Sequence, residues 1–256
     1  MPLPPGVRAV LTDIEGTTTP LSFVLDVLFP YARRRLDAAC ASGEPRFADA
    51  LRRLRQEHEE ERRSVTDLPD FGNGAPWAHR LMDQDRKSTG LKMLQGILWE
   101  DGYRAGELQG QVWPDVAEAL KAWQERGIRC RVFSSGSVLA QKLLFGHSDQ
   151  GDLLPYFEGF HDTTTGPKQS PESYIAIAGA FGLPPGEVLF LSDVTAGAKG
   201  NAERFAFLYD RRRVAPPGDG VHGGRLEAAP AAARPARGGL PRGRGRPCAR
   251  GSPGIP

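Results

Sequence analysis

The chain has 256 residues, enough for one large domain or a domain with an insert. Hydrophobic residues make up 39%, low for a chain that packs throughout, and no apolar run approaches the ~20 residues of a membrane span. The net charge of +2 hides a split: residues 1–209 carry a net −5, whereas residues 210–256 hold ten Arg against three acids. Residues 1–7 contain Pro2, Pro4 and Pro5 and lack the long apolar core of a signal peptide. Cys40, Cys130 and Cys248 are too few and too scattered for a disulfide framework or a zinc site. A reduced, cytoplasmic compartment is therefore expected.

In chain order, the apolar run 7–12 predicts a buried strand. Residues 20–112 read as a helical insert. Phe23, Val27, Leu28 and Tyr31 recur at helical spacing, as do Phe47, Leu51 and Leu54 in a charged segment reaching Arg63. Residues 81–89 and 90–98 suggest further helix. After the insert, strands and helices alternate, which argues for a parallel sheet. Pro114 sits at a predicted helix start and Gly127 follows as a stop. The order then runs strand 128–133, helix 138–145, short strand 156–160, helix 171–181 and strand 188–191, with one more strand at 205–209. Of the 47 residues from 210 to 256, 36 are Arg, Gly, Pro or Ala. No apolar period survives there, so a disordered tail is expected.

Three predicted strands end in polar residues: Asp13 after the first, Ser134-Ser135 after the second, and Ser192-Asp193 after the last long one. In open parallel sheets, ligands bind outside the carboxyl ends of the strands. The first cluster, Asp13-Ile14-Glu15-Gly16-Thr17-Thr18-Thr19, holds two acids before a glycine turn. An unpaired buried charge is too costly, so these acids are expected outside the core. They suit a nucleophilic carboxylate and a divalent metal. Phosphoryl transfer needs in-line attack, neutralised oxygens and a proton for the leaving group. Asp13 suits the nucleophile and Glu15 the acid, then the base. Lys168 would hold the phosphoryl oxygens near Asp13, and Mg²⁺ would sit between Asp13 and Asp193. One of Ser134 and Ser135 would bind phosphate while the other caps the following helix. Phe23 and Trp99 are candidates for the inner face of the insert. His58, His79, His147, His161 and His222 lack metal-ligand spacing, and the charges from Arg52 to Arg63 read as a solvated helix face.

The order of Asp-x-Glu-Gly-Thr, strand-end Ser, Lys and Ser-Asp resembles the haloacid dehalogenase superfamily of phosphatases. Longer segments narrow the resemblance. Phe23-Val24-Leu25-Asp26-Val27-Leu28-Phe29-Pro30-Tyr31, Leu94-Gln95-Gly96-Ile97-Leu98-Trp99 and Ser134-Ser135-Gly136-Ser137-Val138-Leu139-Ala140-Gln141 are similar to the enolase-phosphatase family of methionine salvage. Glu15, where most of the superfamily has Asp, points the same way. The resemblance covers about residues 7–195. It implies an α/β fold with a Rossmann-like parallel sheet, residues 1–19 and 113–209, and a helical cap, residues 20–112. It also implies a bifunctional, Mg²⁺-dependent enzyme that enolises 2,3-diketo-5-methylthiopentyl-1-phosphate and then hydrolyses it to acireductone and phosphate. By position, Asp13, Glu15 and Asp193 match the metal-binding acids, and Ser134, Ser135 and Lys168 the substrate contacts. Lys168 and the metal could polarise the carbonyl, with Glu15 a plausible base. A monomer acting on a small phosphorylated diketone is expected, with neither membrane nor nucleic acid as partner.

The chain departs from the family after Asp193. Gly197 stands where the family carries an acid, and the sequence beyond matches no family segment. The abrupt compositional shift suggests a reading frame altered after Val194; translation of the other frames that yields no strand-and-helix ending would sink that idea. Competing readings are a phosphatase of another small phosphomonoester, an inactive homologue damaged at its end, and a nucleic-acid binder using the Arg-rich tail. The tail has no aromatic residue for base stacking, which weighs against the last.

Overall fold

A computed structural model describes residues 3–193 and the backbone of Leu208–Tyr209. The expectations for position 197, the altered frame and the tail at 210–256 fall outside the described residues. Five parallel strands form one sheet in the order β3-β2-β1-β4-β5: β1 Ala9–Thr12, β2 Arg129–Phe133, β3 Gly159–His161, β4 Val188–Leu191 and β5 Leu208–Tyr209. β1 is central, paired with β2 on one side and β4 on the other. It is buried along its whole length, as a parallel strand covered on both faces must be. Its alternation sorts the side chains: Val10 enters the larger hydrophobic cluster, while Ala9 and Leu11 face the cluster of Tyr174, Ile177 and Phe181.

Between β1 and β2 the chain is helical. A π-helical turn, Phe23–Leu28, runs into α1, Phe29–Ala41, followed by α2, Pro45–Arg62, α3, Ala75–Asp83, α4, Thr89–Arg104, and α5, Pro114–Glu125. The helices α2 and α4 pack closely because Gly90 has no side chain; a Cβ there would lie 2.5 Å from the Leu54 backbone nitrogen. After β2 come α6, Val138–Gly146, and α7, Pro171–Phe181. Leu120 and Trp123 of α5 and Leu144 and Phe145 of α6 join the larger cluster, so helices cover both faces of the sheet.

Several boundaries shift from the sequence reading. The first strand begins at Ala9 and the second at Arg129. Helix does not continue through 81–89: α3 ends at Asp83, Asp85 takes φ +48°, and Ser88 starts a new helix by accepting a hydrogen bond from the Leu91 N–H at 3.0 Å. The strand expected at 156–160 is instead a 3₁₀ turn, Leu154–Tyr156, followed by β3. Pro155 favours the turn, and the ladder resumes where the Glu158 N–H meets the Cys130 carbonyl at 2.8 Å. Cys40 and Cys130 are buried free thiols, and burial pushes the first up to about 11 and the second up to about 12.

Candidate active site

The strand order reverses at β1: the chain runs outward to β2 and β3, then returns to β4 on the other side. Such a switch point leaves a crevice at the carboxyl ends of the strands. Asp13 follows β1 into it. Its N–H bonds the Leu191 carbonyl at 2.9 Å, which fixes the backbone against β4. The chain then wraps around one carbonyl: the N–H groups of Thr17, Thr18 and Thr19 all point to the Ile14 oxygen, at 3.0, 2.9 and 3.1 Å. Gly16 makes this turn possible with φ +76°.

Asp13 is only 4% exposed, which corrects the expectation that it lies outside the core. Its charge is tolerated because a cation and two hydrogen-bond donors meet it. One carboxylate oxygen accepts from the Lys168 ammonium and from the Ile14 N–H at 2.8 Å; the other accepts from the Ser192 hydroxyl at 3.1 Å. Lys168 reaches Asp13 from the loop before α7. That loop is pinned where Ser173 Oγ donates to the Pro167 carbonyl at 2.8 Å, and Gly166 leaves room for the Ser173 hydroxyl.

Glu15 turns toward the end of β2. Ser134 is fully buried, and its hydroxyl lies 3.1 Å from both Glu15 carboxylate oxygens while accepting from the Gly136 N–H at 3.0 Å. Burial and then the Asp13 charge raise the Glu15 carboxyl above its ordinary value; Lys168 and the Ser134 hydrogen bond offset only part of this. A carboxyl so tuned is easier to protonate, as a general acid requires. Neither Ser134 nor Ser135 caps α6. Ser137 does, accepting from the Ala140 N–H at 3.3 Å, because it stands immediately before the first helical residue. The Ser135 carbonyl accepts from the Lys92 ammonium at 3.1 Å.

Asp193 follows β4, and its N–H bonds Thr17 Oγ1 at 2.9 Å. A Cβ at Gly16 would fall 2.4 Å from an Asp193 carboxylate oxygen, so the glycine is what admits this acid beside the first loop. Among the described residues, no three acidic, histidine or cysteine side chains close into a metal cage. The Glu15 carboxylate is held by Ser134. Asp13 and Asp193 remain as hard oxygen donors at adjacent strand ends. That donor set fits Mg²⁺, which takes one or two carboxylates and completes its shell with water and phosphate.

Helices close over this edge. A cavity of about 370 Å³ extends from Glu15 and Ser134 to Val24, Leu28, Phe29 and Trp99. Trp99 borders it, with its indole N–H donating to the Leu28 carbonyl at 2.8 Å, whereas Phe23 is core at 1% exposure. His58 is also core, bonded to the Pro69 carbonyl at 2.9 Å. Ser192, which the sequence placed at a strand end without a role, holds Asp13; sequence reasoning missed Lys92 and Gln95, which line the cavity. The last two stood out only as polar residues in an otherwise apolar helical run, ahead of Trp99. Glu57, read as part of a solvated face, instead accepts from the Thr89 and Gly90 N–H groups at the start of α4.

A model of haloacid dehalogenase-like hydrolases matches residues 7–203. "Enolase-phosphatase E1" of Synechococcus elongatus is 49% identical over 203 residues, covering 77% of this chain and 84% of that protein. The protein of the same name from Pseudomonas aeruginosa is 50% identical, covering 73% and 82%. Among solved structures, the UTR4 protein of Saccharomyces cerevisiae has 32% identity and a TM-score of 0.64, covering 79% of this chain and 88% of that one.

Proposed function

We propose, for a chain that belongs to the haloacid dehalogenase-like hydrolases and among them to the enolase-phosphatase E1 family, that it converts 2,3-diketo-5-methylthiopentyl-1-phosphate to its enol phosphate and then to acireductone and phosphate. The observation that carries this reading is Asp13, buried yet held by Lys168, Ser192 and the Ile14 N–H, beside a Glu15 raised above its ordinary value.

Asp13 and Asp193 would hold Mg²⁺, with Glu15 bordering the same site, and the bound ion would neutralise charge on the phosphoryl oxygens. Asp13 attacks phosphorus, and the bond to the enol oxygen breaks. Glu15 protonates that oxygen, then takes a proton from water, which cleaves the aspartyl-phosphate. Lys168 keeps the nucleophile and the phosphoryl oxygens together. Ser134, with the backbone N–H groups after it, and Ser135 would hold phosphate. The helical block, residues 20–112, would act as a cap that excludes water, its cavity receiving the methylthio chain. The enzyme would act as a cytoplasmic monomer without nucleic acid. Among the described residues, no helix is long and apolar enough to cross a membrane.

The test is phosphate release from the diketone phosphate with and without Mg²⁺, beside Asp13→Asn. Release should need Mg²⁺, and the substitution should lower it by at least about 10³-fold. Undiminished release by the Asn variant would overturn the mechanism.

A further inference from the structure

The cavity beside Glu15 presents a mainly apolar surface, and α4 brings two polar groups to it. Lys92 and Gln95, one helical turn apart, line it together with Trp99. Gln95 is buried at 5% exposure, and its side-chain amide makes no hydrogen bond among the described residues. Its position on the cavity wall offers the amide to a bound molecule. Lys92 is half-buried and uses one ammonium N–H on the Ser135 carbonyl. An ammonium has three donors, so two remain.

Other cations nearby are committed or solvated. Lys168 donates to Asp13, Arg86 pairs with Glu61, and Lys87 is exposed. Lys92 therefore stands where the apolar cavity meets the Ser134-Ser135 turn, within electrostatic reach of Glu15. Lys168, engaged by the nucleophile, is less well placed to polarise a carbonyl than the sequence suggests.

We propose that Lys92 is a catalytic residue of the enolisation step, donating to the carbonyl oxygen on which charge develops, and that Gln95 positions the adjacent carbonyl. This inference rests on the enolase-phosphatase reading. The carbon bearing the phosphate ester is α to the C2 carbonyl. Its C–H bond breaks and the proton goes to the Glu15 carboxylate. The C–H electron pair becomes the C1=C2 bond, and the carbonyl π pair moves onto oxygen. Lys92 holds that oxyanion until Glu15 returns the proton to it, so the enzyme ends as it began. Burial and the neighbouring Lys87 hold the Lys92 ammonium below the ordinary lysine value, which strengthens it as a donor to an oxyanion.

Two probes separate the halves of the reaction. A phosphonate analogue of the diketone can enolise but cannot lose phosphate, and its C1 exchange with solvent deuterium is read by NMR. Hydrolysis of 4-nitrophenyl phosphate reads phosphoryl transfer alone. Lys92→Met should lower the ratio of exchange to hydrolysis by about 10²-fold, as loss of one oxyanion donor does. Lys92→Arg should recover part of it, and Gln95→Leu should raise KM for the diketone more than it lowers kcat. A ratio within about threefold of the unsubstituted protein, or loss of both activities together, would overturn the role. If the unsubstituted protein catalyses neither reaction, the function reading itself fails before any variant is compared, and this inference falls with it.

Discussion

At the strand ends, Asp13, Ser134 and Ser192 are buried and joined by hydrogen bonds made inside the site. In the helical block, buried polar side chains are few: His58, Ser88 and Gln95. His58 and Ser88 are satisfied internally, but Gln95 is not, and Lys92 beside it keeps donors to spare. The strand ends are thus organised by the protein's own hydrogen bonds, as electrostatic stabilisation of a transition state requires. On the proposal above, Lys92 and Gln95 complete their hydrogen bonds on the bound diketone. Substitutions should separate the two regions: those at the strand ends should change phosphoryl transfer and charge balance, those at Lys92 and Gln95 should change enolisation, and those elsewhere in the helices should change packing.

The largest effect is expected at Lys168. Lys168→Met leaves the buried Asp13 charge with neutral donors only, and removing one partner of a buried pair costs about 3–5 kcal/mol. Urea denaturation should show that loss. Adding Asp13→Asn should restore most of the stability and none of the phosphate release; a double variant no more stable than Lys168→Met would break the account of the strand ends. In the helices, Gly90→Ala forces a methyl group against the Leu54 backbone, which should cost about 1–3 kcal/mol. Gly16→Ala, with a similar clash against Asp193 and a positive φ, should weaken Mg²⁺ binding measured by calorimetry. If Gly16→Ala binds Mg²⁺ normally, the glycine is not what admits Asp193.

A smaller effect is expected at Glu57. Glu57→Ala removes the acceptor at the start of α4 and should cost about 1 kcal/mol, read from the thermal midpoint. The smallest concerns Glu15 in metal-free protein. Its folded carboxyl is raised above the unfolded value, so the folded state binds the proton more tightly. Stability therefore falls as pH rises from the ordinary glutamate range through the raised value, and stays lower above it. Glu15→Gln should be more stable than the original at neutral pH, with the gap closing in acid. A gap that does not depend on pH would contradict the burial argument.

The motif chemistry was legible because its spacing is local. Asp13-Ile14-Glu15-Gly16 needs a turn that only glycine takes easily, and Ser134, Lys168 and Asp193 each follow or precede a recognisable element. Pro114 and Gly127 bracketed α5 for similar reasons. The shift of β3 to Gly159–His161 was not legible, since a short strand is set by its ladder with β2 more than by its own residues. Nor was the burial of Asp13, because a carboxylate enters the interior only when a partner 155 residues away arrives to neutralise it.

By itself, then, the sequence determined the parallel α/β alternation, the helical character of the block read at 20–112 and the identity of the acids at the strand ends, all properties of local period and turn chemistry. The tertiary structure decided which serine meets Glu15, that Ser137 rather than Ser134 or Ser135 caps α6, that Glu57 accepts from the first N–H groups of α4, and that Lys92 and Gln95 line the cavity. Those outcomes depend on contacts between elements distant in the chain, and hydrogen bonding is directional, so neighbours in space fix them where neighbours in sequence do not.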